Sequence, residues 1–123
     1  MEGSLRIQSF ENLVVWQHAQ DLAVMVYEKT KSFPKEEIYG ITNQVRRSAA
    51  SVSANIAEGF GRKSPKDKLH FFVIAYGSLL ETKNFLYLSG RLKFISEDDP
   101  DELMKETTSC QKLLNAYMRP LRV

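Results

Sequence analysis

The 123-residue sequence has one cysteine, no long hydrophobic run and a net charge of only +2. Cys110 alone can form neither an internal disulfide nor a CxxC pair for metal or redox chemistry. The most apolar stretch, residues 71–76, is far shorter than the roughly 18 residues that a membrane-spanning helix needs. The first four residues lack the basic segment of a secretory signal, and no apolar segment follows them. From these absences we expect a cytoplasmic protein.

Residue patterns for catalysis or cofactor binding are also lacking. His18 and His70 have no second ligand at helical spacing that would complete a metal site. The run Gly59–Arg62 (GFGR) matches neither a Walker loop nor a dinucleotide fingerprint. A glycine-terminated helix with a reversing loop is the simpler interpretation, and a phosphate site at the start of the next helix is the alternative. We therefore predict a non-enzymatic protein with no catalytic residue, metal or cofactor.

Proline and glycine divide the sequence into segments with helical spacing of apolar residues. Pro34 ends the first segment, while Ser64-Pro65 and Asp99-Pro100 are typical helix starts. We predict one domain over residues 1–123, with helices at about 13–30, 41–58, 65–92 and 100–118. Because no strand pattern competes and the connections are short, we expect an all-α, antiparallel up-down-up-down four-helix bundle.

The predicted third helix carries more apolar residues than one bundle needs. We assign two seams on opposite sides of it. The first seam is Leu69, Phe72 or Val73, Tyr76, Leu80, Tyr87 and Phe94, and the second is Phe71, Ile74, Ser78, Glu81, Phe85, Leu88 and Leu92. An isolated bundle requires one stripe per helix, so the surplus predicts a homo-oligomer. Because a buried carboxylate needs a partner, we expect Glu81 to pair with Arg46 or Arg47.

Small residues dominate the second helix. Ala50, Ala54 and Ala57 form a narrow face that is either helix-favouring filler or a surface for close contact with a neighbour. Among the polar residues of the same segment, Asn55 and Glu58 are expected to form hydrogen bonds to another helix or to the following loop. Together with Ser78 and Glu81, they are our candidates for structural or oligomer contacts.

Basic residues are concentrated between residues 44 and 68. The six are Arg46, Arg47, Arg62, Lys63, Lys66 and Lys68, opposed by Glu58 and Asp67. Such a block is typical of solvated helix ends, and it can also form an electrostatic footprint for nucleic acid. We treat these six residues as candidates for RNA binding.

The stretch Arg46–Arg62 (RRSAASVSANIAEGFGR) resembles the signature of a bacterial family of small four-helix bundle proteins. The family was first noticed as reading frames in intervening sequences of 23S ribosomal RNA genes. FENLVVWQHA at Phe10–Ala19 and AYGSLLE at Ala75–Glu81 agree with the same pattern. The resemblance implies a left-handed bundle and a ring-like homopentamer, and it supplies no catalytic residue.

The family is also similar to the accessory variability proteins of diversity-generating retroelements, which are basic pentamers that bind RNA and reverse transcriptase. That similarity implies RNA or a nucleic-acid-processing protein as a partner. We therefore expect association with RNA or a ribonucleoprotein. A protein-interaction scaffold that binds no nucleic acid is the alternative.

Overall fold

The computed structural model describes residues 9–96 and 100–122 and contains four α-helices. They are α1 (Val14–Thr30), α2 (Ile41–Phe60), α3 (Pro65–Arg91) and α4 (Pro100–Met118). Short 3-10 turns at Phe10–Asn12, Lys35–Glu37 and Arg119–Leu121 precede α1, follow α1 and extend α4. No strand occurs in these described ranges. The predicted all-α four-helix bundle is confirmed.

The start of α3 follows from its local sequence. The backbone N–H of Asp67 donates to Ser64 Oγ at 3.1 Å, which satisfies an amide that has no partner within the helix. Pro65 occupies the first helical position, where its missing N–H costs nothing. The corresponding cap of α4, expected at Asp99, lies outside the described residues.

Each helix packs against two neighbours, in the cyclic order α1, α2, α3, α4 and back to α1. Residues spaced three and four apart on each helix meet along the centre of the bundle and form one continuous core. Its fully buried members include Val15, Leu22, Val26, Val45, Val52, Ile56, Leu79, Leu86, Leu103 and Leu114. Burial of this core is the main stabilising contribution to the fold.

The core-facing side of α3 differs from the two predicted seams. Its buried residues are Phe72, Ala75, Leu79, Thr82, Leu86 and Ser89. Of these, only Phe72 belongs to a predicted seam, and the other five lie between the two seams. Five seam residues form what we call the outer stripe of α3: Val73, Ile74, Leu80, Tyr87 and Leu88, which are 40–59% exposed. The two predicted seams therefore do not mark the inner face of α3, and their exposed residues are the surplus for which an oligomer was predicted. Apolar residues surround most of α3, so periodicity alone does not identify the inner face.

Gly59 lies inside α2 and does not end it, because the helix continues to Phe60. A Cβ at this position would lie 2.9 Å from Phe72 Cε1 and 3.0 Å from Phe71 Cβ. Glycine is therefore required for the close approach of α2 to α3. Gly61 is the C-cap of α2 and has φ −76°, an ordinary helical value. The helix therefore ends at a glycine as predicted, without the left-handed conformation that often accompanies such an ending.

None of the described helices is both long and apolar enough to cross a membrane.

Candidate functional site

The six basic residues singled out in the sequence do not form one patch. Arg46 and Arg47 lie in the second turn of α2, whereas Arg62, Lys63, Lys66 and Lys68 follow its carboxyl end. Sixteen residues of helix, from position 46 to position 62, span about 24 Å. One chain therefore presents two separate basic groups at opposite ends of the bundle.

Arg46 joins α2 to α1. Its Nε donates to Thr30 Oγ1 at 2.8 Å, and its guanidinium carbon lies 4.8 Å from the centre of the Tyr27 ring. Thr30 Oγ1 in turn donates to the carbonyl of Val26 at 2.8 Å. These contacts hold Arg46 half-buried against its own chain, whereas the neighbouring Arg47 is exposed.

A row of hydroxyl groups, here called the hydroxyl ladder, connects α2 with α3. Thr82 Oγ1 donates to Ser48 Oγ at 2.8 Å, and Ser51 Oγ lies 2.9 Å from Ser78 Oγ. The side chain of Asn55 donates to the carbonyl and the hydroxyl of Ser51 at 2.9 Å. Ser78 therefore makes a contact between helices. Asn55 instead bonds within α2 to Ser51, so its expected bond to another helix or to the loop is wrong for the single chain.

Glu81 is exposed, contrary to the expectation that it is buried and paired. It lines a polar pocket of about 80 Å³ between α2 and α3 together with Arg47 and Gln44. Within the described residues, Glu81 forms no ion pair with either Arg46 or Arg47. The expected pairing is therefore wrong for the single chain, because Arg46 turns toward α1 and Glu81 toward solvent. Glu58 instead pairs with Arg62 across one turn, with Oε2 3.0 Å from Nη2.

A group of positively charged residues lies at the end of the bundle where α2 stops, α3 begins and α4 stops. We call this surface the basic end. Its cationic residues are Arg62, Lys63, Lys66, Lys68, Arg119 and Arg122. Three described carboxylates, those of Glu11, Glu58 and Asp67, lie at the same end. The balance is therefore positive.

Arg119 and Arg122 were not among the sequence candidates, because they follow α3 by more than twenty residues and stand alone in the sequence. The topology of the bundle would have predicted that they lie near the other basic residues. In an up-down-up-down arrangement, the carboxyl end of α4 lies beside the amino end of α3. The turn after α4 does pack against α3.

Cations of the basic end fall into two groups. Arg62 pairs with Glu58 and lies 4.5 Å from the centre of the Phe71 ring. Lys68 Nζ donates to the carbonyl of Phe60 at 2.7 Å and so completes the end of α2. In contrast, the side chains of Lys63, Lys66 and Arg119 have neither a hydrogen bond nor an ion pair within the described ranges. Arg122 has only a contact of 3.8 Å from Nη2 to the sulfur of Met118. These last four side chains are therefore available to an anionic ligand.

Other reactive side chains are used in packing. His18 Nδ1 lies 2.6 Å from Glu106 Oε1 and links α1 to α4. Cys110 is fully buried, and burial, followed by the nearby Glu106 and Asp21 carboxylates, raises the pKa of its thiol to about 12. The thiol is therefore protonated at neutral pH and is not a nucleophile. In the part of the chain that the structure describes, no three His, Cys, Asp or Glu side chains are arranged to hold a metal ion.

Comparison with known proteins agrees with this architecture. The sequence model of the family described as 23S rRNA-intervening sequence protein matches residues 11–116. The fold is similar to the crystal structure of a protein of unknown function from the S23 ribosomal protein family of Bacteroides thetaiotaomicron, with a TM-score of 0.78 and 25% sequence identity. That similarity covers 86% of this chain and 99% of the other. No curated protein matches the sequence.

Proposed function

This chain belongs to the 23S rRNA-intervening sequence protein family, and on that premise we propose that it is a non-enzymatic bundle that associates with RNA or a ribonucleoprotein through its basic end. We further propose that it acts as a homo-oligomer, a ring-like pentamer by resemblance. The observation that carries the RNA proposal is the group of unpaired cations at one end of the bundle. Lys63, Lys66 and Arg119 are exposed at that end.

Phosphate groups are the natural ligands of such a surface. Lysine and arginine side chains that have no partner in their own chain can neutralise phosphates and release the counterions bound to them. Arg62 and Lys68 support the site indirectly, because their own contacts hold the loop between α2 and α3 in place. In an oligomer, repetition of the basic end would strengthen a weak single-chain interaction through avidity.

Self-association is supported by the outer stripe of α3. Its leucine, isoleucine, valine and tyrosine side chains are 40–59% exposed on the side of α3 that faces away from the core. Exposed apolar surfaces of this kind commonly mark interaction sites. Gly77 and Ala54 lie on the exposed surfaces of α3 and α2, where small residues permit close approach of another helix.

The same stripe favours the alternative function, a protein-interaction scaffold that binds no nucleic acid. Under that alternative, the outer stripe would hold a different protein and the basic end would only keep the bundle soluble. The two functions differ in their dependence on charge. RNA association must weaken steeply with salt, whereas an apolar protein contact must not.

Replacement of Lys63, Lys66 and Arg119 by alanine tests RNA association. We expect the affinity for an unstructured oligoribonucleotide, measured by fluorescence anisotropy, to fall by about tenfold or more at low salt. The slope of log affinity against log salt should also decrease by about two, since each phosphate contact on a single strand contributes about 0.7.

A triple alanine variant of Lys35, Lys105 and Lys112 is the matched control. It removes the same charge from exposed positions outside the basic end and should retain most of the affinity. Equal losses in the two variants would show that binding follows net charge alone. Absence of binding by the unmodified protein at low salt would leave the scaffold as the better function.

Self-association is tested by placing a charge in the outer stripe. Leu80→Glu should reduce the mass measured by light scattering to that of a single chain, because a carboxylate buried at an interface is costly. Val24→Glu is the control, since Val24 is an exposed apolar residue of α1 outside the stripe. A single-chain mass for the unmodified protein at micromolar concentration would contradict the proposed oligomer.

A further inference from the structure

A groove opens at the basic end between the start of α3 and the turn after α4. It has a volume of about 660 Å³, within the range of about 300–1,000 Å³ that is typical of ligand clefts. The start of α3 contributes Ser64, Pro65, Lys66 and Leu69 to its lining, and the turn after α4 contributes Leu121 and Arg122. The groove therefore combines an apolar surface with a cation on each side.

The apolar part of this groove is a fixed surface. Leu69 and Leu121 are half-buried and pack against the hydrophobic core. Pro65 is held in the first turn of α3, where Ser64 caps the helix. A ligand that entered the groove would therefore meet preformed apolar side chains and would not have to order them first.

The cations beside the groove are available. Lys66 has no side-chain partner in the described ranges, and Arg122 has only a weak contact of 3.8 Å from Nη2 to the sulfur of Met118. Lys63 immediately precedes Ser64, and Arg119 belongs to the same turn as Leu121. An anion at the mouth of the groove would face several of these groups at once.

We propose that this groove receives the unpaired bases of single-stranded RNA, so that the basic end discriminates single strands from duplexes. The inference rests on the proposed association with RNA and names the form of RNA that is recognised. A single strand offers flat apolar base surfaces next to its phosphates, which matches an apolar groove with cations on both sides. Along a duplex the base faces are stacked against one another, so the protein meets phosphates, sugars and polar base edges, and the apolar part of the groove gains little.

Aliphatic side chains contact a base less favourably than aromatic rings do. The expected preference is therefore modest. We expect the protein to bind an unstructured 12-nucleotide RNA about fivefold more tightly than a blunt 12-base-pair RNA duplex in the same low-salt buffer, at the lower end of the effect of base stacking.

The Leu121→Asn substitution tests the apolar part of the groove without changing the charge around it. In fluorescence anisotropy titrations, this variant should lose the preference for the single strand while its affinity for the duplex stays within about twofold. Lys66→Ala should weaken both interactions, since phosphate contacts do not depend on unpaired bases. Val24→Asn, which changes an exposed valine of α1, should alter neither affinity.

The outcomes distinguish the two proposals. Equal affinity for the single strand and the duplex, or an unchanged preference in Leu121→Asn, would overturn the groove inference and leave RNA association intact. No binding of either RNA would overturn the proposed function itself. Displacement of the oligonucleotide by vesicles of phosphatidylglycerol, with loss of vesicle binding in Leu121→Asn, would assign the groove to an acyl chain and also overturn the inference.

Discussion

The inner and outer faces of α3 carry similar side chains in opposite surroundings. Leu79 and Leu86 are at most 1% exposed, whereas Leu80 and Tyr87, the next residues in the sequence, are 45% and 59% exposed. Neighbouring positions on an α-helix differ by about 100° around its axis. Hydrophobicity alone therefore does not identify the inner face of α3. That face is determined by the helix packed against it, because Gly59 and the hydroxyl ladder of α2 fit only one side of α3.

The two faces should differ most in the free energy of unfolding that is lost when a leucine on each face is replaced by alanine. Leu79→Ala should lower the free energy of unfolding by about 2–5 kcal/mol, because it leaves a cavity in the core. Leu80→Ala should cost less than about 0.5 kcal/mol in the single chain, since it changes an exposed position. Urea titrations of both variants measure these values.

The dependence of these two losses of stability on protein concentration tests whether the outer stripe is covered in an oligomer. If the outer stripe is covered in an oligomer, the loss caused by Leu80→Ala should grow as the concentration rises, whereas that of Leu79→Ala should not. Equal losses in the two variants at low concentration would mean that the assignment of the inner face is incorrect.

The second largest difference in stability is expected between alanine substitutions of two glycines, Gly59 in α2 and Gly77 in α3. Gly59→Ala places a methyl group against Phe71 and Phe72, where the nearest carbon is 2.9 Å away. Such overpacking should destabilise the protein by about 1–3 kcal/mol. At Gly77 a Cβ meets no atom within 4 Å, so Gly77→Ala should stabilise the helix by up to about 1 kcal/mol. Thermal unfolding should shift in opposite directions, and a stabilising Gly59→Ala would contradict the close approach of α2 and α3.

The smallest difference in stability is expected between substitutions of two adjacent polar residues of α3. Thr82→Val removes the buried hydroxyl that donates to Ser48 Oγ and should cost about 1 kcal/mol. Glu81→Gln changes an exposed side chain without an ion pair in the described residues and should stay within about 0.5 kcal/mol. Chemical denaturation of the two variants side by side would test this, and a larger loss in Glu81→Gln would restore a structural role for its charge.

The fold was predictable because its signals are local. Ser64-Pro65 and the spacing of Val45, Val52 and Ile56 belong to single segments, and each can be interpreted without its neighbours. The inner face of α3 was not predictable in this way. Several apolar lines compete on that helix, and the choice between them depends on residues of α2 that only the packed bundle brings close.

The candidate site was predictable in part. Lys63 and Lys66 follow from charge and position, since they flank the start of a helix. Arg119 and Arg122 join them only through the topology of the bundle. The role of Arg46 depends on a contact with Thr30 of another helix, and neither residue type indicates that partner in advance.

The hydroxyl ladder also limits which misfolded arrangements are accessible to the chain. Ser48 and Ser51 on α2 face Thr82 and Ser78 on α3, one helical turn apart. A slide of α3 by one turn, about 5.4 Å, would still allow leucine and valine side chains to pack. It would break the bond from Thr82 Oγ1 to Ser48 Oγ, whereas each hydroxyl would keep its bond to a carbonyl of its own helix. The cost is therefore that of one hydrogen bond between helices, about 1 kcal/mol. The ladder therefore favours the observed register of α3 against α2 by the energy of its hydrogen bonds between the helices.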